Sequence, residues 1–164
     1  MSYLLQDWKA NKGNIKGRLV LFSFRLASIG TKNKLLFIIF IPYLLFYRFF
    51  VEWVLGIELP YKTQVGKGLR LYHGQAMVVN SATKIGENCV IRHCVTIGNR
   101  LNKDGSESAC PVIGNNVEIG SNVCIIGPIT VGNNVKIGAG TVVVKNVPDD
   151  CTVVGNPGVI KMRT

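Results

Sequence analysis

From Val65 onward the apolar positions of this chain recur every six residues. The run reads Val65-Gly66, Leu71, Met77, then Val79, Ile85-Gly86, Ile91, Ile97-Gly98, then Ile113-Gly114, Ile119-Gly120, Ile125, Val131-Gly132, Ile137-Gly138 and Val143. Thirteen positions fit this step. One inward aliphatic per six residues predicts a hexapeptide parallel β-helix, in which each unit makes a short strand and a turn and three units close one triangular coil. The aliphatic fills the prism, and the Gly or Asn near it serves the corner, where φ > 0 or a close backbone approach is needed. Glu87-Asn88, Asn115-Asn116, Ser121-Asn122 and Asn133-Asn134 supply such corners. Coils of about eighteen residues fit roughly four to five times between Val65 and Val147, a thin core whose outer faces are usually covered by oligomerisation.

Residues 1–57 carry no six-residue period, so the chain divides into an N-terminal helical extension, 1–57, and a β-helix domain, 58–164. Leu19, Phe22, Leu26 and Ile29 stand at helical spacing and predict a short amphipathic helix over 17–29. Leu35 to Tyr47 is an apolar run of thirteen residues interrupted at Pro42. Thirteen helical residues reach only about 20 Å, short of the roughly twenty residues a membrane span needs. Pro42 is expected to break or kink the helix. Tyr43, Tyr47 and Trp53 suit a membrane interface, and Lys32, Lys34 and Arg48 suit anionic headgroups. The expectation is a kinked segment lying in the membrane interface; a helical hairpin packed on the β-helix end or on a partner subunit is the alternative, and a true span the third.

The net charge of +10 sharpens that reading. Residues 1–56 hold eight Lys/Arg against Asp7 and Glu52, so +6 of the +10 sits there, interleaved with apolar residues. No nucleic-acid motif accompanies it, so an anionic membrane surface is the expected partner rather than nucleic acid. The N-terminus lacks an early apolar core and a small-residue cleavage site, so a cytoplasmic protein at the inner membrane face is expected. Five cysteines form no CxxC pair, and Cys89 and Cys124 fall at repeat positions where a small buried side chain is expected.

Only two histidines are present, His73 and His93. A catalytic zinc built on three imidazoles is therefore excluded, and no metal is expected. His73 follows the repeat position Leu71 and should point outward. Glu58 lies fifteen residues upstream, close to one coil, so its carboxylate is expected to hydrogen-bond the imidazole, fixing the tautomer and stabilising imidazolium as a general base requires. His93, twenty residues after His73, falls about one coil below it. The step from Ile97 to Ile113 is sixteen residues, so residues 99–111 form a loop projecting from the solenoid. Insertions in solenoids collect on the binding face, which makes Arg100 a candidate for an acidic acceptor or a phosphate.

The stretch from Ile57 to Pro157 resembles the hexapeptide acyltransferases of the serine acetyltransferase type and, within that group, the colanic-acid and capsule acetyltransferases. Its most specific pieces are Leu71-Tyr72-His73-Gly74, Val95-Thr96-Ile97-Gly98-Asn99 and Val154-Gly155-Asn156-Pro157. The resemblance implies a left-handed β-helix, a homotrimer, and acetyl-CoA as co-substrate between adjacent prisms. It implies His73 as catalytic base oriented by Glu58. It places Gly98, Asn99, Gly120, Ser121, Gly138, Ala139 and Lys145 along the donor, with Lys161 and Arg163 toward its phosphates. Two departures bear on the acceptor. Tyr72 stands where the serine enzymes carry Asp, and Ala109-Cys110-Pro111 stands where they carry Arg-His-Pro. A zwitterionic serine loses both partners, whereas Tyr72 offers a ring and a hydroxyl to a sugar. The expectation is O-acetylation of a saccharide hydroxyl in exopolysaccharide or capsule assembly, with Tyr72, His93, Arg100 and Cys110 on the acceptor side. Serine O-acetylation and a non-catalytic scaffold at the membrane are the alternatives.

Overall fold

In a computed structural model, which describes residues 2–162, the six-residue period becomes a three-faced solenoid of parallel strands. The first face stacks β1 (Ile57–Glu58), β4 (Met77–Val79), β7 (Thr96–Gly98), β10 (Cys124–Ile126) and β13 (Val142–Val143). The second stacks β2 (Gln64–Val65), β5 (Lys84–Ile85), β8 (Val112–Ile113) and β11 (Thr130–Val131). The third stacks β3 (Arg70–Leu71), β6 (Val90–Ile91), β9 (Glu118–Ile119), β12 (Lys136–Ile137), β14 (Cys151–Val154) and β15 (Val159–Met162), the last antiparallel to its neighbour. The repeat positions are the registered pairs. Val79–Ile97–Ile125–Val143, Val65–Ile85–Ile113–Val131 and Leu71–Ile91–Ile119–Ile137–Val153 form three aliphatic ladders meeting inside the prism. Asn88, Asn116, Asn122 and Asn134 all adopt the left-handed conformation expected of them. Side chains at two of these corners also bridge coils: Asn116 Nδ2 donates to Asn134 Oδ1 at 2.9 Å.

The first coil leaves an open end, and each of its faces is closed by a polar side chain from the N-terminal segment. On the third face, the Leu69 amide donates to Asp7 Oδ1 and the Leu71 amide to Asn11 Oδ1. Asn11 Nδ2 donates to the Leu69 carbonyl and Asn14 Nδ2 to that of Leu71. On the second face Arg25 donates to the carbonyls of Val65 and Gly66. On the first, the Tyr47 hydroxyl donates to the Leu59 carbonyl. These are the groups that an unpaired strand edge would leave without partners. Arg25 also pairs with Asp7 at 2.7 Å, both almost wholly buried.

Helix α1 (Ile15–Ile29), capped by Asn14 accepting from the Gly17 amide, buries Gly17, Val20, Leu21, Phe24, Arg25 and Ala27. This is not the face expected from Leu19, Phe22, Leu26 and Ile29; Leu19 is 58% exposed. The helix is apolar on two sides, and the Arg25–Asp7 pair together with the coil carbonyls fixes which side turns inward. Helix α2 (Lys34–Tyr47) runs through Pro42 without a break and continues as a π-helical stretch, Arg48–Val54. Pro42 forfeits one backbone hydrogen bond, but the helix is held on both sides of it. Asn33 caps the start by accepting from the Leu36 amide, while Leu44, Tyr47 and Val51 are buried downstream. The resulting helix, Lys34–Val54, has 21 residues at mean hydropathy 1.9, and 17% of its most apolar window is buried. At about 1.5 Å per residue its length suffices to cross a bilayer core, which the thirteen-residue run alone did not.

Cys89 fills the interior as expected, whereas Cys124 does not: it faces outward on β10, opposite Thr96 and Val142, and Ile125 takes the interior place. Burial raises both thiols above the ordinary value, which keeps them in the protonated, unreactive form.

Replacing Arg25 by Met should destabilise the protein by about 3–5 kcal/mol in chemical denaturation, because Asp7 is left buried and unpaired. The double change Arg25→Met/Asp7→Leu should recover only part of this, since the Val65, Gly66 and Leu69 backbone groups stay without partners. A loss under about 1 kcal/mol in the single variant would refute the capping role.

Candidate active site

His73 owes its position to a two-residue insertion. Elsewhere in the upper coils interior positions step by six, but Leu71 to Val79 is eight, and the pairing of Leu71 with Ile91 against that of Val79 with Ile97 locates the extra pair between them. The surplus is absorbed in a bulge where His73, Gly74 and Ala76 all have positive φ. A side chain at Gly74 would meet Leu71 Cδ2 at 2.9 Å and Ile57 Cδ1 at 3.3 Å, so glycine lets the bulge seat on the core beneath it. His73 is thereby exposed at the corner joining the third face to the first.

The next coil places His93 directly against it, as the twenty-residue spacing predicts. The two rings meet edge to face with centroids 5.8 Å apart and an interplanar angle of 77°. His93 Nδ1 is buried and has no hydrogen-bond partner among the described residues. Ser121 and Ala139 continue the same corner downward: the Asn122 amide donates to the His93 carbonyl, and the Gly140 amide to that of Ser121.

The expected hydrogen bond between Glu58 and His73 is absent among the described residues. Glu58 is exposed on β1, opposite Val78, and opens onto the first face. Its neighbour Ile57 lies under the bulge. Both groups are exposed and nothing buries the carboxylate and the imidazole together, so the pair has no reason to close in the isolated chain. Glu58 lines a groove of ≈ 380 Å³ with Val78, Asn80, Thr96, Gly98 and Asn99. Asn80 Nδ2 donates to Asn99 Oδ1 at 3.2 Å across its wall. A side chain at Gly98 would approach only Asn80 Cβ, at 3.7 Å, so the floor there is open.

The remaining candidates separate into groups. Loop 99–111 projects between β7 and β8 and is tied by the Leu101–Glu107 bridge and by the Arg100 amide donating to Ser108 Oγ. Arg100 crosses Gly127 with its aliphatic stem, and Cys110 is half-buried at the loop's return. Lys145 lines a small cavity of ≈ 140 Å³ at the last coil, and Lys161 is exposed on β15 opposite Thr152. Arg163 lies outside the described residues. Gly120 has a reason of its own to be glycine: a Cβ there would sit 2.6 Å from the Ala139 amide nitrogen of the next coil. Coil stacking already demands it.

Two residues beside the histidines belong to no motif in the sequence. Arg70 and Arg92 place their guanidinium carbons 4.4 and 4.9 Å from the ring centroid of Tyr72. The register signals this cluster, since Leu71 opposite Ile91 sets Tyr72 opposite Arg92 and leaves Arg70 on the same outward side.

An exposed His73 backed by the part-buried His93 on a hexapeptide solenoid, flanked by a groove, is an arrangement that suits acyl transfer. Residues 110–145 match the family described as bacterial transferase hexapeptide (six repeats). The chain is 39% identical, over 97% of its length and 99% of the relative's, to WcaB of Escherichia coli K12, a protein assigned by name to acetyl transfer in colanic acid biosynthesis. It is 38% identical to a serine acetyltransferase of Synechococcus elongatus, over 66% of this chain and 44% of that one. Soybean serine acetyltransferase superposes with a TM-score of 0.82 at 28% identity, covering 97% of this chain and 67% of that one. The chain belongs to the hexapeptide-repeat acyltransferases of the serine acetyltransferase-like type, and its solenoid is the left-handed β-helix of that family.

Gly120→Ala should cost about 1–3 kcal/mol of stability through inter-coil overlap, measured by denaturant unfolding. Unchanged stability would show that the glycine answers to something outside the prism.

Proposed function

We propose that this acyltransferase moves an acetyl group from acetyl-CoA to a saccharide hydroxyl in the assembly of an exopolysaccharide or capsule. The observation that carries the proposal is His73, exposed on a two-residue insertion against His93, in a chain aligned with WcaB along almost its whole length. His73 takes the proton of the acceptor hydroxyl as that oxygen attacks the thioester carbonyl, and returns it to the sulfur as the thiol departs. General-base assistance of this kind is worth roughly 10²–10⁴ in rate. His93 holds the first ring in place from the coil below. Glu58 and the open floor at Gly98 and Asn99 form the donor side, on the first face.

A homotrimer fits this arrangement. The outward residues Val78, Ile126 and Val144 put apolar surface on the first face, and a second prism packed beside it would cover them and close the groove. Closure would also desolvate Glu58 and favour its pairing with His73. The exposed helix Lys34–Val54 supports placement at the cytoplasmic membrane surface, where a lipid-linked acceptor is concentrated. Free serine fits less well, because Tyr72 is flanked by Arg70 and Arg92 and offers its ammonium group no carboxylate. A scaffold without catalysis leaves the exposed His73 without a task.

His73→Asn tests the base while keeping a residue that tolerates the left-handed conformation. It should melt like the parent yet lose at least about a hundredfold in acetyl transfer, followed by CoA release with a saccharide acceptor. Near-parental turnover would overturn the assignment. Glu58→Gln should lose less, because the base itself remains.

The intact protein should float with vesicles containing anionic phospholipid and bind less as salt rises, each surface Lys or Arg contributing about 1 kcal/mol. Retention at high salt would report the apolar face of Lys34–Val54. Absence of vesicle binding at low salt would remove the membrane placement.

A further inference from the structure

We propose that Arg70 and Arg92, held against the ring of Tyr72, form an anion subsite that receives a carboxylate or phosphate carried by the acceptor. The inference deepens the function proposed above and rests on it for the identity of the acceptor. Tyr72 and Arg92 are cross-strand neighbours, fixed by the Tyr72 amide donating to the Ile91 carbonyl at 2.9 Å. Arg70 lies two residues before Tyr72 on the same outward side of the third face. Both guanidinium carbons lie over one ring, at 4.4 and 4.9 Å from its centroid. A ring accepts no N–H···O bond, so guanidiniums held against it keep N–H donors available to an oxyanion.

Neither arginine forms an ion pair among the described residues, and the Arg70 Nε is buried without an acceptor. The contrast with Arg25 is instructive: that buried guanidinium has a carboxylate and two carbonyls. The acidic side chain along this face, Glu118, stands opposite Val90 and pairs with Lys136 at 3.6 Å. Two cations thus share one ring with no counter-charge, and a desolvated donor is left unpaired, which costs stability unless a ligand supplies the acceptor.

The location assigns the ligand. His73 and His93 follow Tyr72 and Arg92 directly in sequence and occupy the corner between the third and first faces. The groove at Glu58, Gly98 and Asn99 lies on the far side of that corner, on the first face. An acceptor whose anion rests on Arg70 and Arg92 therefore presents its hydroxyl to His73 from the side opposite that groove. A uronic-acid saccharide and a sugar phosphate or diphosphate share the required chemistry.

Titration calorimetry on the intact protein at low salt, with glucuronate, inorganic pyrophosphate and neutral glucose as probes, tests the subsite. At least one of the two anions should bind, glucose should not, and the one that binds more tightly identifies the source of the charge. Arg70→Gln and Arg92→Gln should each weaken that binding by roughly tenfold or more, with Arg70→Lys and Arg92→Lys intermediate. Parental melting curves and unchanged CoA affinity in the same variants exclude misfolding. With a charged saccharide acceptor the Gln variants should raise its KM and leave that of acetyl-CoA unchanged. Failure of the parent protein to bind either anion, or parental binding by both Gln variants, overturns the subsite. A raised KM for acetyl-CoA alone also overturns it, because the arginines would then serve the donor. Anion binding that is lost in the Gln variants, without acetyl transfer to any saccharide, keeps the subsite and rejects the saccharide acceptor.

Discussion

A solenoid of stacked coils satisfies its backbone everywhere except at its ends, and the upper end of this one carries the candidate site. Glu58 and His73 both belong to the first coil, whose strands have neighbours on one side only. The N-terminal segment resolves this with side chains rather than another strand: Asp7, Asn11 and Asn14 on the third face, Arg25 on the second, Tyr47 on the first. A buried guanidinium between a carboxylate and two carbonyls joins α1 to the coil. Remove that junction and the terminal strands present an open edge beside the site.

Within that frame the site arises from a local departure from regularity. A six-residue repeat packs the same shape at every regular corner. Two surplus residues between Leu71 and Val79 break the rule in the first coil, and the bulge they form is held by left-handed conformations at His73, Gly74 and Ala76. Strained backbone of this kind persists only where the surroundings fix it, here Ile57 and Leu71 below Gly74. The imidazole is positioned by the rigid prism beneath it, which limits the freedom a reacting group would otherwise lose on binding.

The same helical segment that closes the coil also leaves a long apolar surface outside it. Leu44, Tyr47 and Val51 turn inward, while Leu35, Ile38, Ile39, Leu45, Phe49 and Trp53 remain exposed on the same helix. One face anchors the coil that bears Glu58 and His73, and the other is free to meet a partner or a bilayer.

The sequence alone determined the solenoid, because a period of six is written in side-chain size at every coil and needs no distant information. It also determined that His73 and His93 meet, since both lie in coils whose length is countable. It did not determine which side of α1 faces inward: Leu19 and Val20 are equally apolar, and the choice falls to Arg25 reaching carbonyls forty residues away. Nor did it reveal that α2 passes through Pro42, because the packing of Leu44, Tyr47 and Val51 that holds the helix beyond it is tertiary. Coil counting brought Glu58 near His73 and led to an expected hydrogen bond that the folded chain does not form, because the direction of the carboxylate depends on what buries the two groups. The Arg70–Tyr72–Arg92 cluster joins residues twenty positions apart, and strand register within the folded prism decided it.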